Sequence, residues 1–247
     1  MDSDFLSKYY DLERNHWWFR VREKIILQQL HKSLPESVPV SILNVGVATG
    51  KTTEMMEPFG RVISVEVDHK TCQFLKEKLK MDVVEASVTS LPFADECFDV
   101  ICVFDVLEHV EKDEQAILEL RRVCKTGGVI FLTVPAFSFL WSDHDVINHH
   151  FRRYTSRRLK NLFASGFQVS YLTYFNFILF FPIACFRALR KISLSRKFPQ
   201  SDFAHEGFLS SKGLNSLFAG LFNMEVFFLR YMRFPFGVSI LASMVKK

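Results

Sequence analysis

The sequence predicts an α/β fold, a mainly parallel sheet with helices on both faces. Three observations predict it. Stretches rich in apolar residues recur near residues 42–45, 61–68, 98–101 and 129–134, as strands covered on both faces require. Helical stretches separate them, which is the order of a crossover-connected parallel sheet. The first run, Ile42-Leu-Asn-Val45, passes into a glycine turn and then a helix.

The elements follow in order. The chain opens with a cap helix region carrying Tyr9, Tyr10, Trp17, Trp18 and Phe19, with Arg20 and Arg22 beside them. As core, these aromatics staple the helix to the sheet; as function, they close over a bound ligand. Residues Gly46 to Thr52 spell G-x-x-x-G-K-T. A phosphate loop needs four residues between its glycines, so its anion nest would be one peptide short here. The dinucleotide fingerprint G-x-G-x-x-G fails on spacing as well. The nucleoside turn hydrophobic-Asp-x-Gly-x-Gly-x-Gly fits, with substitutions. Arg61-Val-Ile-Ser-Val-Glu-Val-Asp68 is a second strand ending in acid, and Glu66 lies about 20 residues past the first glycine, where a carboxylate accepts hydrogen bonds from ribose hydroxyls. Ser90-Leu-Pro-Phe93, the strand at Phe98 and Asp105-Val-Leu-Glu-His-Val110 come next. A helix with Leu118, Leu120 and Val123 should stop at Lys125-Thr-Gly-Gly128, before the strand Val129–Val134.

Further on, Phe167 to about Phe175 reads as a strand. Phe177 to Phe186 is an apolar run of ten, too short to span a membrane, and Pro182 should break or kink it. Ser210 to Arg230 reads as a helix, with Leu214, Phe218, Leu221 and Phe222 at helical spacing, and Val238 to Val245 as the final strand. One domain of 247 residues results. Its parts are N-terminal cap helices (1–37), a ligand-binding core (38–175), a helical lid insertion (176–234) and a last strand (235–247).

With these motifs in order, the chain resembles the class I S-adenosylmethionine (SAM)-dependent methyltransferases, the group that includes the ubiquinone-biosynthesis enzymes. Within it, the chain is most similar to bacterial members that open with His-Trp-Trp-Phe-Arg (His16–Arg20) and later carry Trp-Ser-x-His-Asp (Trp141–Asp145) and Arg-Arg-Tyr-Thr (Arg152–Thr155). The closing Pro235-Phe-Gly-Val-Ser-Ile-Leu241 also fits that subgroup, whose members are often associated with cell-envelope glycan assembly. The resemblance implies a Rossmann-like, mainly parallel seven-stranded sheet and SAM as cofactor, with S-adenosylhomocysteine as product. It implies cofactor contacts from Asn44, Gly46, Ala48, Gly50, Glu66, Val67, Ser87, Val88 and Phe104.

Three positions depart from the family pattern. Asn44 replaces the acid at the end of the first strand; its amide can accept a hydrogen bond from a loop N–H but offers no charge to the methionine ammonium. Ala48 replaces the middle glycine and tolerates the turn only at negative φ. Ser87 replaces the acid that contacts the adenine amine.

Charge divides the chain. Residues 1–150 hold 16 Lys+Arg against 24 Asp+Glu, and residues 151–247 hold 15 against 3. Of 27 phenylalanines, 20 lie at or after Phe131. The second half is therefore basic and aromatic. One reading is a Phe-rich core wrapped by basic helices. The other is a surface for an anionic and apolar partner such as a lipid phosphate or prenyl-linked sugar, with peripheral membrane contact through residues 171–197, where Arg187, Arg190, Lys191, Arg196 and Lys197 follow the apolar run. Five cysteines, at 72, 97, 102, 124 and 185, form no C-x-x-C pair and no disulfide framework. The start of the chain has two aspartates and no apolar run, unlike a signal peptide. A cytoplasmic protein is expected, peripheral at the inner face of the membrane if the lid docks there.

Methyl transfer from a sulfonium needs an aligned acceptor and often a base. His109, His144 and His150 are candidate bases because imidazole titrates near neutrality, and Tyr154 stands beside them. Arg152 and Arg153 can hold a carboxylate or phosphate; Trp17 and Arg20 complete the expected acceptor-side residues. No metal is favoured. A rival reading places a divalent ion on Asp105, Glu108, His109 and His150, because i, i+3 and i+4 share one helical face. That pattern is similar to the acid-x-x-Glu-His motif of small-RNA 2′-O-methyltransferases.

The expected function is a SAM-dependent O-methyltransferase acting on a sugar, lipid-linked or small-molecule hydroxyl. The alternatives are a nucleic-acid 2′-O-methyltransferase and a non-catalytic SAM-binding or membrane-docking protein. The first lacks a recognisable RNA-binding module. The second draws on Asn44, Ala48 and Ser87.

Overall fold

The computed structural model describes residues 3–34, 39–192 and 212–247. Arg196, Lys197 and Ser210, named above, lie outside the described residues. The sheet has seven strands: β1 Val40–Val45, β2 Gly60–Glu66, β3 Val83–Glu85, β4 Phe98–Phe104, β5 Cys124–Pro135, β6 Phe167–Phe175 and β7 Ser239–Lys246. Their order is β3-β2-β1-β4-β5-β7-β6. The first five run parallel, and β7 pairs antiparallel with both β5 and β6. This is the expected Rossmann-like methyltransferase architecture.

The central strands are largely apolar because both faces are covered. Ile42, Leu43, Ile101, Cys102, Val103, Ile130 and Leu132 are all buried. β7 is the last strand in sequence but lies between β5 and β6, so Ile240 to Met244 are buried as well.

Helices α1 Ser3–Asn15 and α2 Trp17–Ser33 form the N-terminal cap. They break at His16, whose extended backbone and side chain cap α2 by accepting from the Trp18 N–H. Helices α3 Lys51–Met56 and α4 His69–Lys78 follow β1 and β2. Asp68 lies beyond β2: it is the N-cap of α4, accepting from Thr71 N–H at 2.9 Å. Helix α5 Asp113–Val123 buries Ala116, Ile117, Leu120 and Val123, whereas Leu118 is 62% exposed. It ends before the expected glycine stop. Gly127 and Gly128 instead lie inside β5, where the pairing register to β4 shifts.

Helices α6 Asp143–Ile147 and α7 Ser156–Phe163 precede β6. Helices α8 Phe180–Ile192 and α9 Lys212–Phe228 lie between β6 and β7. Pro182 does not break α8. It sits in the first turn, where a missing N–H leaves no helical bond unmade. Helix α9 packs on α2: the Trp17 ring lies 5.6 Å from Phe218 and 5.7 Å from Phe222, and Lys24 Nζ donates to Asn223 Oδ1 at 3.0 Å. No helix of the described residues is long and apolar enough to cross a membrane.

Candidate active site

Strand order reverses between β1 and β4, and open α/β sheets bind ligands beyond the carboxyl ends of strands at such a point. The glycine turn leaves β1 there. Gly46 has φ +72°, and a Cβ at this position would lie 2.4 Å from Val106 Cγ2, so only glycine fits. Gly50 has φ +85° and is the N-cap of α3. Ala48 has φ +46°, contrary to the expectation of a negative value. An L-residue in this left-handed region crowds its Cβ against the carbonyl. Asn44 also departs from expectation. Its Nδ2 donates to Thr52 Oγ1 at 2.9 Å and Thr53 Oγ1 at 3.1 Å, tying β1 to α3. Its buried Oδ1 accepts from no loop N–H.

Glu66 ends β2 and joins the two neighbouring turns. Oε2 accepts from Ala48 N–H at 3.2 Å; Oε1 accepts from Val67 N–H at 2.8 Å and Asp68 N–H at 3.1 Å. Val67 beside it is 67% exposed, an apolar side chain offered to solvent at the strand end. Ser87 follows β3, with its Oγ 2.8 Å from Thr89 Oγ1 and accepting from Thr89 N–H at 3.2 Å. Val88 and Phe104 are buried nearby in sequence to the ends of β3 and β4.

The cap helices reach this end of the sheet through charged groups. Thr49 Oγ1, in the glycine turn, donates to Glu13 of α1, and both side chains are buried. Burial pushes the Glu13 carboxyl above its ordinary range, against the Thr49 hydrogen bond and the Arg22 charge. Arg22 of α2 pairs with Asp105 at 2.6 Å and donates to Thr133 Oγ1 at 3.0 Å. Its guanidinium lies 5.3 Å from the Trp18 ring. Arg22 is buried, whereas Arg20, expected on the acceptor side, is exposed. Trp17 faces α9, not the site. The signal for Arg22 was its spacing: it lies five residues after Trp17 and shares the buried stripe of α2 with Val21, Ile25 and Ile26.

A second group gathers beyond β4 and β5. Glu108 and His109 lie on one 3-10 turn, residues 107–109, and His150 lies in the loop after α6. One ligand atom from each of the three lies within 4.8 Å of the others. The His109 and His150 rings are 4.6 Å apart, and His144 is 6.1 Å from His150. Asp105 is not among the three whose ligand atoms converge. It precedes the turn at φ +56° and is turned to Arg22. Glu108 is 1% exposed and its Oε2 has no partner. Burial first, and the Asp105 charge second, raise its carboxyl well above the usual range. The packed inner edge of His109, together with the His150 ring, lowers its pKa to about 4.

The arginines and tyrosine support this loop from inside. Buried Asp145 accepts from Arg153 Nε at 2.7 Å and Nη2 at 2.9 Å, lies 3.0 Å from His150 Nδ1, and accepts from Ser142 N–H at 2.8 Å. Arg152 pairs with Asp113 at 2.9 Å. Tyr154 is 0% exposed, its hydroxyl 2.9 Å from Asp113 Oδ2 and 3.1 Å from the Leu107 carbonyl. Burial and the Asp113 charge raise its pKa. Arg153 and Tyr154 are therefore framework residues, not the acceptor contact and acid–base group expected from sequence.

Known proteins resemble this chain over the same region. Residues 43–132 match the model of the "Methyltransferase domain" family. A Mycobacterium tuberculosis protein named "Probable S-adenosylmethionine-dependent methyltransferase" is 26% identical over 127 residues, 51% of this chain and 45% of that protein. The ubiquinone/menaquinone biosynthesis C-methyltransferase of an Enterobacter species is 29% identical over 115 residues, 42% of this chain and 46% of that protein. The chain thus spans about half the length of the curated relatives it matches. A solved "putative methyltransferase" of Bacillus halodurans superposes with a TM-score of 0.58 at 18% identity, over 89% of this chain and 98% of that one. At that identity the likeness is one of fold.

Proposed function

We propose that this chain, whose residues 43–132 match the methyltransferase-domain family, is a class I SAM-dependent methyltransferase that transfers the methyl group of SAM to a hydroxyl of a sugar, lipid-linked or other small-molecule acceptor. One observation carries the reading. At the reversal point of the sheet, the Glu66 carboxylate spans the ends of β1 and β2 beside a turn that only glycine can make at position 46. The residues fit the cofactor: a carboxylate for ribose hydroxyls, exposed Val67 as an apolar surface for the base, and Arg22 to oppose the methionine carboxylate. SAM, when bound, supplies a methyl group already electrophilic on a sulfonium centre. The protein must then orient the acceptor and take its proton. His109 and His150 lie at the β4 and β5 exits, and His109 stays neutral at pH 7, so its ring can accept a hydrogen bond there. Titration calorimetry with SAM and S-adenosylhomocysteine tests the reading. Binding should weaken at least about tenfold in Glu66→Ala, the scale of one lost hydrogen bond to a charged group. A wild-type protein that binds neither would overturn it.

The acceptor class draws on the second half of the chain, with its 15 Lys+Arg against 3 Asp+Glu. Phe181, Phe186 and Leu189 of α8 are exposed, as are Phe227 and Tyr231 at the end of α9 and beyond. An apolar face within a basic region suits an anionic membrane surface that presents a lipid-linked acceptor. Such a protein would be cytoplasmic and peripheral at the inner face. Arg187 takes no part in that face: it donates to the Leu140 carbonyl, and burial lowers its pKa to about 10.

A further inference from the structure

We infer that Glu108, His109 and His150 form a binding site for one divalent first-row cation. Their ligand atoms lie within 4.8 Å of one another, so small side-chain rotations place all three about 2.1 Å from a shared ion. Two imidazoles and one carboxylate are a donor set that suits such cations. The three come from two segments that are locked together: Phe151 N–H donates to the Glu108 carbonyl at 2.7 Å.

Two further observations point to a ligand. Glu108 is 1% exposed, yet its Oε2 has no hydrogen-bond partner. A buried carboxylate oxygen left unpaired is costly, and a cation would satisfy it. Each histidine ring already has one hydrogen bond to the protein. His150 Nδ1 lies 3.0 Å from Asp145 Oδ1, and His109 is hydrogen-bonded to the backbone of Asn148. Metal-ligating histidines are oriented in this way, their second nitrogen on a carboxylate or a backbone carbonyl. Asp145 is in turn held by Arg153, and both of these side chains are buried. Use of the ion to hold an acceptor oxygen and lower its pKa rests on the methyl-transfer reading; binding of the ion does not.

The test is titration of chelator-treated full-length protein with Co²⁺, read by visible absorption, and with Mn²⁺, read by loss of the free-ion electron paramagnetic resonance signal. One equivalent per chain is expected. Affinity should fall at least tenfold in Glu108→Gln and in His150→Gln, and should be unchanged in His69→Gln, a histidine remote in sequence that pairs with Glu85. Circular dichroism establishes that each variant is folded; His109→Gln, at an exposed ring, replaces any that is not. No stoichiometric binding to the wild type, or binding equal in wild type and ligand variants, overturns the site. SAM titration of the same chelated protein separates the two readings, because cofactor binding that survives without metal leaves the transferase assignment standing.

Discussion

At the scale of single residues, the turn after β1 holds the sharpest expectation. Ala48 sits at φ +46°, where glycine pays no steric cost. Ala48→Gly should raise stability by about 0.5–1 kcal/mol, the relieved strain less the added freedom of the unfolded chain. Chemical denaturation measures it, and an unchanged or lower midpoint would show that the turn is not strained. Tyr154 offers the converse case. A buried hydroxyl committed to Asp113 is structural, so Tyr154→Phe should cost about 1 kcal/mol and leave the methyl-transfer rate within a few-fold of wild type. A rate loss of a hundredfold or more would return Tyr154 to the chemistry.

At the scale of elements, the cap helix α2 is keyed to the sheet by Arg22, not by its neighbour two residues earlier. Arg22→Gln removes the partner of Asp105 and should cost about 3 kcal/mol while weakening SAM binding. Arg20→Ala should change stability by less than about 0.5 kcal/mol. Urea denaturation and calorimetry on the pair distinguish them; equal effects would mean that the Arg22 pair does not couple cap to site. Helix α8 separates its two phenylalanines. Phe180 is 8% exposed and packs against Phe137 and Phe236, whereas Phe181 is 61% exposed. Sedimentation onto anionic vesicles should therefore be lost in Phe181→Asp with the fold intact. Undiminished sedimentation of that variant would remove α8 from any membrane contact.

At the scale of the whole molecule, acids held by the fold divide into two sets with opposite pH behaviour. In Asp113, burial is outweighed by hydrogen bonds from Arg158, Arg152 and Tyr154, which hold its carboxyl below 3.8. In Asp99, burial is outweighed by Lys125 and Ser41, and its pKa falls to about 2. Groups with depressed values stabilise the fold above their unfolded pKa, and that contribution is lost as pH falls from 3.8 toward 2. Glu225 behaves in reverse. Burial raises it above 4.5 despite the N–H of Ile178 at 2.8 Å, so its contribution is present below 4.5 and lost as pH rises through its folded value. Glu225→Gln keeps an acceptor for that N–H and should flatten the decline of stability above pH 4.5. Denaturation midpoints across pH 4.5–8 test this, and parallel profiles for variant and wild type would exclude Glu225 as its source.

The sheet, its glycine turn and the acid that ends β2 were legible in the sequence because each is a local property: runs rich in apolar residues, glycines at fixed spacing, a carboxylate at a fixed offset. The last strand was legible too, since Ile240 to Met244 are apolar except for Ser243. What the tertiary structure alone decided is which polar side chains point where. Arg20 and Arg22 look alike in sequence, and only the packing of α2 sends one to solvent and the other to Asp105. Arg153 and Tyr154 look like substrate contacts until Asp145 and Asp113, brought beneath them by the loop after β5 and by α5, claim their donors. Asp105 likewise pairs with Arg22 from a left-handed backbone and is not among the converging ligand atoms of Glu108, His109 and His150, although the linear spacing sets Asp105, Glu108 and His109 on one face. Backbone pattern is set by burial over a few neighbouring residues; the partner of a charged side chain is set by whichever distant segment the closed sheet brings within hydrogen-bond reach.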